Sequence, residues 1–478
     1  MNFENDRPFD IPHTYFMRLP FEKIIRTSWT VLAVIGLMGA TECGSASAAS
    51  DTPGPLPQTT SQDAGSSPGW RDSIMPEWGG HLKARGYALK PDKDSIYGLN
   101  GTGTDYDGSL EGRLKGGLLF GDWGYFETHY EIIYSAGDTI EKGNQLQGAL
   151  PDLPGDIILF RAPLNDDRRL LNLSSIISEG DRHVLYHRLD RLAFTLMPEW
   201  GAFTIGRQAV TWGNGLIFNP MDLFNPFAPT DIEREYKIGD DMISAQFPAG
   251  PLGDLHLLYV ARRDPDTGNT GIDRNSLAGK LHFASGSVEF DVMGARHYSD
   301  TVVGLGSAGY LGSTAWRLDA TLTLLDRGYR KDSYLSFVAN MDYSWVWWGK
   351  NLYGFLEFYY NGLGGDDYLA VLSDPNVLER LARGELFTLG RPYLSGHIRL
   401  EVHPLFNVYM SVINNLGAPS GVLQPRAVWD MLQDVQITFG GNFVYGAKGT
   451  EYGGIEIPGT DLTMRASNSA FVWAAYYF

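Results

Sequence analysis

Alternation of apolar and polar residues, aromatics gathered where that alternation stops, and no apolar run long enough for a membrane-crossing helix predict an all-β fold. The architecture expected is a transmembrane antiparallel up-and-down β-barrel. Successive side chains of a strand point to opposite faces, so a wall standing in lipid needs one greasy and one polar face. Leu110, Gly112, Leu114, Gly116, Leu118 and Phe120 alternate with Glu111, Arg113 and Lys115. Trp316, Leu318, Ala320, Leu322 and Leu324 alternate with Arg317, Asp319, Thr321 and Thr323. These segments run about ten to fourteen residues, where strands of a soluble sandwich run about five or six. Trp123 and Tyr125, then Trp345, Trp347 and Trp348, then Tyr476 to Phe478 mark segment ends, where interfacial girdles fall.

Taken in order, the chain opens on an export signal. Arg18, Lys23 and Arg26 precede an apolar run from Trp29 to Ala40, and Ala46-Ser47-Ala48 has the form of a signal-peptidase site. A signal peptide is therefore expected over 1–48, with Met17 as an alternative start. Cys43, the only cysteine, lies inside it, and Ala40-Thr41-Glu42 departs from a lipidation box. A chain cleaved after residue 48 has no thiol, which excludes cysteine catalysis, thiolate zinc sites and iron–sulfur clusters. Residues 1–48 carry five acids and four bases, so the formal charge of −18 becomes −17 on cleavage. Such a balance argues against nucleic acid as a partner. Residues 49–77, rich in Pro, Ser, Gly and Thr as far as Pro68, read as a disordered periplasmic linker.

The barrel is expected over 78–478. Strands are read at 79–90, 108–121, 123–136, 184–197, 200–212, 241–248, 253–264, 275–285, 287–298, 301–311, 314–325, 333–346, 351–361, 391–402, 405–414, 421–427, 432–446 and 465–478. Eighteen is even, as two termini on one side require; sixteen is the alternative. Thr301 to Leu311 is Gly-rich and its alternation is faint, but parity needs it.

Three insertions exceed hairpin length: 137–183, 213–240 and 362–390. The last is expected to hold a helix packed on the barrel rim, with a cap over the barrel as the other reading; Asp374 is the N-cap, Pro375 comes first, Val377, Leu378 and Leu381 share one face and Gly384 is the stop. In the middle one, Asn219-Pro220 and Asn225-Pro226 interrupt regular helix. Its apolar first half would pack on the wall inside the barrel, leaving Asp231, Glu233, Arg234, Glu235 and Lys237 facing the lumen as a constriction. An extracellular lid or a subunit contact is the other reading.

The polar faces of the strands give the expected pore lining: Glu111, Arg113, Lys115, Glu127, His129, Glu131, Arg191, Lys280, Arg317, Asp319, Asp342, Glu357, Arg399 and Glu401. His129, His256, His282 and His397 fall on the same face, and none sits in a nucleophile motif, so no enzyme and no catalytic residue is expected. No cofactor is implied. The one metal candidate is calcium at Asp264, Asp266 and Asp273, in a loop that puts Gly268 where a ligand belongs; ordinary turn chemistry explains the same residues.

The ending Ala470-Phe471-Val472-Trp473-Ala474-Ala475-Tyr476-Tyr477-Phe478 alternates and closes on an aromatic residue. It resembles the assembly signal of Gram-negative outer-membrane β-barrels. Gly206-Arg207-Gln208 leading into Trp212-Gly213-Asn214-Gly215, with Glu357-Phe358-Tyr359-Tyr360-Asn361-Gly362, is similar to segments of porin-like and alginate-export-type barrels. The resemblance implies an eighteen-stranded channel in the bacterial outer membrane, passing hydrophilic solutes or a polymer, passively or under a gate. Its implied partners are outer-membrane lipid and lipopolysaccharide, the barrel-assembly machinery, the solute itself, and a second copy or a periplasmic protein. Two alternatives stay open: a sheath around a partner such as an exported cytochrome, and an outer-membrane enzyme acting on lipid or saccharide.

Overall fold

A computed structural model describes residues 74–99, 101–149, 166–230, 235–250 and 253–478. The predicted signal peptide and most of the linker lie outside the described residues. In chain order the first strands are β1 (Ile74–Lys90), β2 (Asp105–Phe120), β3 (Gly124–Gly137), β4 (Ser174–Gly180), β5 (His183–Leu196), β6 (Ala202–Gln208) and β7 (Asp240–Pro248). Next come β8 (Asp254–Val260), β9 (Ser276–Ser285), β10 (Val288–His297), β11 (Asp300–Leu311), β12 (Thr314–Leu324), β13 (Ser333–Trp347) and β14 (Lys350–Asn361). The last are β15 (Pro392–His403), β16 (Phe406–Asn415), β17 (Ser420–Leu432), β18 (Val435–Gly446), the short hairpin β19 (Ile455–Glu456) and β20 (Thr463–Met464), and β21 (Asn468–Tyr477). Helices are α1 (Asp138–Ala149), α2 (Tyr368–Leu372) and α3 (Pro375–Ala382).

Each wall strand pairs antiparallel with its neighbours in sequence, and β1 pairs with both β2 and β21, so eighteen strands close into a barrel. Closure leaves no unpaired strand edge facing lipid. The seam is tight: Phe478 donates its N–H to Gly80 O at 3.1 Å and accepts from Gly80 N at 2.8 Å. All long loops leave one end of the barrel, and the other end carries turns of two to five residues such as 286–287, 312–313 and 197–201. The outer face is apolar and exposed, as at Leu110, Ile132, Ile205, Leu305 and Leu356. Trp78, Trp123, Trp200, Trp348 and Phe478 ring the turn end, and Tyr106, Tyr134, Tyr259 and Tyr445 the loop end, all exposed. An apolar band between two aromatic girdles is the surface that suits a bilayer.

Three expectations are corrected. The strand read at 200–212 ends at Gln208, because the backbone reaches φ +125° at Gly206 and then turns into the barrel. A Cβ on Gly206 would stand 2.1 Å from Leu192 O, so only glycine fits there. The 137–183 insertion is not plain loop: it holds α1 and β4, and β4 pairs with the upper part of β5 above the short β6. The 362–390 insertion holds two helices, and it does not lie on the rim. Asp374 does cap α3, accepting from Asn376 N at 3.0 Å, and Gly384 follows with φ +68°. Leu363, Val371, Val377, Leu381 and Leu389 bury against Ile455, Ile457 and Met464 of the β18–β21 loop. On the opposite flank Arg380 pairs with Asp300, and His297 bonds Glu385 at 2.9 Å. The insertion therefore bridges the mouth from the β10–β11 turn to the β18–β21 loop.

Candidate functional site: the lumen and the segment that crosses it

Residues 209–230 and 235–239, which follow β6, fold into the barrel. Gly213 takes φ +91°, and a Cβ there would meet Asn219 Oδ1 at 2.2 Å; Asn225 takes φ 50°, which asparagine tolerates. These positions and the two prolines replace regular structure with turns. Trp212, Met221 and Phe224 bury among Met242, Leu258, Val260, Ala278, Met293, Ala295 and Val302, all on the inner faces of β7 to β11. The glycines of β11 make room: a Cβ on Gly304 would meet the Met293 and Met221 methyls at 2.8 and 3.3 Å. The faint alternation of this strand has that cause. Its inner face is small because another segment lies on it.

Beyond this apolar contact the segment is held by polar groups of the wall. The Glu357 carboxylate, buried on β14, accepts N–H bonds from Leu216 (2.6 Å), Ile217 (3.1 Å) and Phe218 (2.7 Å). Charge-assisted bonds of this kind are stronger than neutral ones. Asp319 accepts from Asn214 N at 2.5 Å and from its side chain at 2.9 Å. Phe218 stacks on Tyr359 at 4.3 Å and 9°. Further on, Gln424 donates to Thr230 O at 3.1 Å, and Glu235 meets Lys83 at 2.7 Å and Tyr477 at 2.6 Å. Tyr236 stacks on His81 and lies beneath Lys115, whose Nζ is 3.9 Å from the ring centroid. Lys237 and Asp222 then join the two limbs at 2.7 Å. Burial drives the Asp222 carboxyl up and the Lys237 ammonium down, and each partner's charge opposes that drift. The segment thus touches β7 to β15, β17, β21, β1, β2 and β5, which makes it a collar inside the barrel.

Most of the residues expected to line the pore are bonded to a neighbouring side chain or to the inserted segment. Arg113 bridges Glu131 and Asp190, and Arg191 meets Asp190 at 2.8 Å. Glu111 bonds His81 and Arg85, each at 2.6 Å; His129 meets Glu127 at 3.0 Å. Lys280 meets Asp291 at 3.2 Å, Arg317 meets Asp342 at 3.0 Å, and Glu401 accepts from Asn351 at 3.3 Å. Lys115 donates to the Tyr236 hydroxyl at 2.5 Å. Of the five charged residues expected in the constriction, Glu235 and Lys237 are placed as above; Asp231, Glu233 and Arg234 lie outside the described residues. Asp264 closes its own turn, accepting from Asp266 N and Thr267 N and pairing with Arg274, while Asp273 is largely exposed. No group of three or more His, Cys, Asp or Glu among the described residues could hold a metal ion.

Sequence reasoning missed Asp190, Arg207 and Asp222. The β3–β5 register slips between His129, opposite Arg191, and Tyr130, opposite Leu189. Asp190 is the extra residue of that bulge, so two successive side chains turn inward. Alternation cannot reveal a bulge. Arg207, buried, pairs with Asp166 at 2.8 Å and Asp241 at 2.9 Å and so ties the 166–173 stretch to the wall. At the mouth, burial pushes the Glu385 carboxyl up, but the charges of His297 and Arg383 outweigh it and hold the group down at about 2.

No protein-family model and no curated protein matches the chain. Among solved structures, the chain is similar to Acinetobacter baumannii OccAB1, at 9% identity and a TM-score of 0.45 over 86% of this chain and 97% of that one. A BenF-like porin from Pseudomonas fluorescens Pf-5 gives 10% and 0.46 over 84% and 98%. Salmonella typhi OmpF in complex with daunomycin gives 9% and 0.42 over 86% and 99%.

Proposed function

We propose that this protein is a porin-like channel of the bacterial outer membrane for hydrophilic solutes, with residues 209–239 as its constriction. One observation carries the reading: a closed wall, apolar outside and charged inside, encircles a segment that is bonded to the inner faces of most of its strands. Charges beside a narrow, low-dielectric wall act on a passing ion far more strongly than in open water. A collar pinned by buried acids and bases therefore gives selectivity without needing a moving part. The residues pointing inward from the wall, from Glu111 to Glu401, then line the path. Conductance across planar bilayers tests this. Purified protein, inserted alone, is expected to give discrete ohmic steps. Folded protein that inserts without steps would instead favour a sheath around an exported partner.

A further inference from the structure

We infer that the collar clasps the closing seam of the barrel from the lumen side, so that closure and constriction depend on one another. Neighbouring wall strands are joined by a turn or a loop, except β1 and β21, which are the two ends of the wall. Hydrogen bonds and side chains alone hold that line, and of all the wall pairings it closes the largest loop of chain.

Glu235 sits across the seam. One of its carboxylate oxygens lies 2.7 Å from Lys83 Nζ on β1 and accepts from the Tyr477 hydroxyl on β21 at 2.6 Å. Lys83 is buried, and its direct partner across the seam is Ala475, small and also buried. The next collar residue extends the grip: Tyr236 stacks on His81 of β1 at 6.2 Å and 7°, and its hydroxyl accepts from Lys115 of β2. His81 is the direct cross-strand partner of Tyr477 and meets that ring at 5.9 Å, edge to face. On the outer face of the same end, the Trp78 and Phe478 rings lie 6.1 Å apart. A buried ammonium is costly without its carboxylate, so Lys83 holds Glu235 against β1, and Tyr477 adds its bond when β21 pairs. The two end strands thereby share one acceptor, and that acceptor belongs to the collar. A barrel that closes with its collar displaced, and its lumen wide, lacks the clasp and is the less durable form.

The test reads how fast the barrel opens. Mature full-length protein is extracted in mild detergent and moved into sodium dodecyl sulfate at a fixed temperature, and the change from the folded to the unfolded gel band is timed. Glu235→Gln is expected to convert about tenfold faster or more, through the loss of charge-assisted bonds. Tyr477→Phe should convert faster too, and the two effects should combine less than multiplicatively, because both act through one carboxylate. A seam lock separates the clasp from general loosening of the lumen. Ala84 and Ala474 are direct cross-strand partners, both exposed on the outer face and within reach of a disulfide, and Cys43, in the predicted signal, is the only cysteine of the chain. With Ala84→Cys and Ala474→Cys oxidised, adding Glu235→Gln is expected to leave the conversion rate unchanged. A wild-type rate in the unlocked Glu235→Gln variant, or a difference that persists in the locked background, overturns the proposal. If Glu235→Gln alone yields no folded barrel, its recovery in the oxidised lock supports the clasp, and failure to recover there overturns it.

Discussion

At the scale of single residues, two wall carboxylates, Glu357 and Asp319, hold the collar by its backbone N–H groups, whereas most other lumenal acids pair with cations. Glu357 collects three successive N–H groups of the collar, and among the described residues no basic side chain shares the task. Its replacement leaves buried donors without an acceptor, which costs about 1–3 kcal/mol for each group left unpaired. Glu357→Ala is therefore expected to loosen residues 216–218, raising current noise and lowering the thermal midpoint in detergent. Quiet steps at the wild-type midpoint would show that the apolar contacts alone hold the collar. Glu385 acts at the mouth. Its folded pKa of about 2 lies below the usual carboxylate value, so its contribution is full above pH 4.5 and fades as pH falls through 2. Pepsin at pH 4 should cut the 362–391 bridge about tenfold faster in Glu385→Gln than in the wild type, and the two rates should converge near pH 2. Equal rates at pH 4 would remove Glu385 from the bridge's anchorage.

The elements divide the labour. The wall strands supply pairing and the two faces, while the 209–239 segment supplies the narrowing, because Pro, Gly and Asn keep it from becoming either helix or strand. Deleting about residues 216–236 is expected to raise single-channel conductance. Replacing Asp231, Glu233 and Glu235 together by neutral residues should shift reversal potentials toward anions. Unaltered conductance in a folded deletion variant would return the segment to a lid or contact role. The 362–391 insertion plays a different part. It shares a buried apolar cluster with the β18–β21 loop, so the two fold as one unit above the lumen.

The whole molecule stands on closure. Each wall strand is bonded on both sides, so unfolding cannot start from a free edge, and the barrel should run faster on gels unheated than boiled. The seam joins the last strand to the first over ten residue pairs and ends with Phe478 bonded to Gly80. Deleting Phe478 is expected to lower the amount of heat-resistant barrel in the membrane fraction without changing removal of the signal. Normal amounts of that variant would detach assembly from the terminal residue.

How much of this was legible follows from the range of each interaction. Alternation is a local property of strands half in lipid, so the sequence by itself determined the wall: the strand count, most boundaries, the outward Leu110, Leu114 and Leu118, the side that carries the long loops, and the cap of α3 at Asp374. The contents of the barrel depend on residues far apart in the chain. Glu357 reads as one more inward acid until residues 216–218 arrive beside it, 139 to 141 positions away. The glycines of β11 read as a weak strand until Met221 fills the space they leave. Asp190 turns inward only because a bulge resets the period, and the 362–390 insertion bridges the mouth only because Asp300, His297 and Ile455 stand on both flanks of it. Only the tertiary structure decided these. Contacts closed across a lumen are set by which surfaces meet, and a period-two pattern records the face a residue takes but not what lies against it.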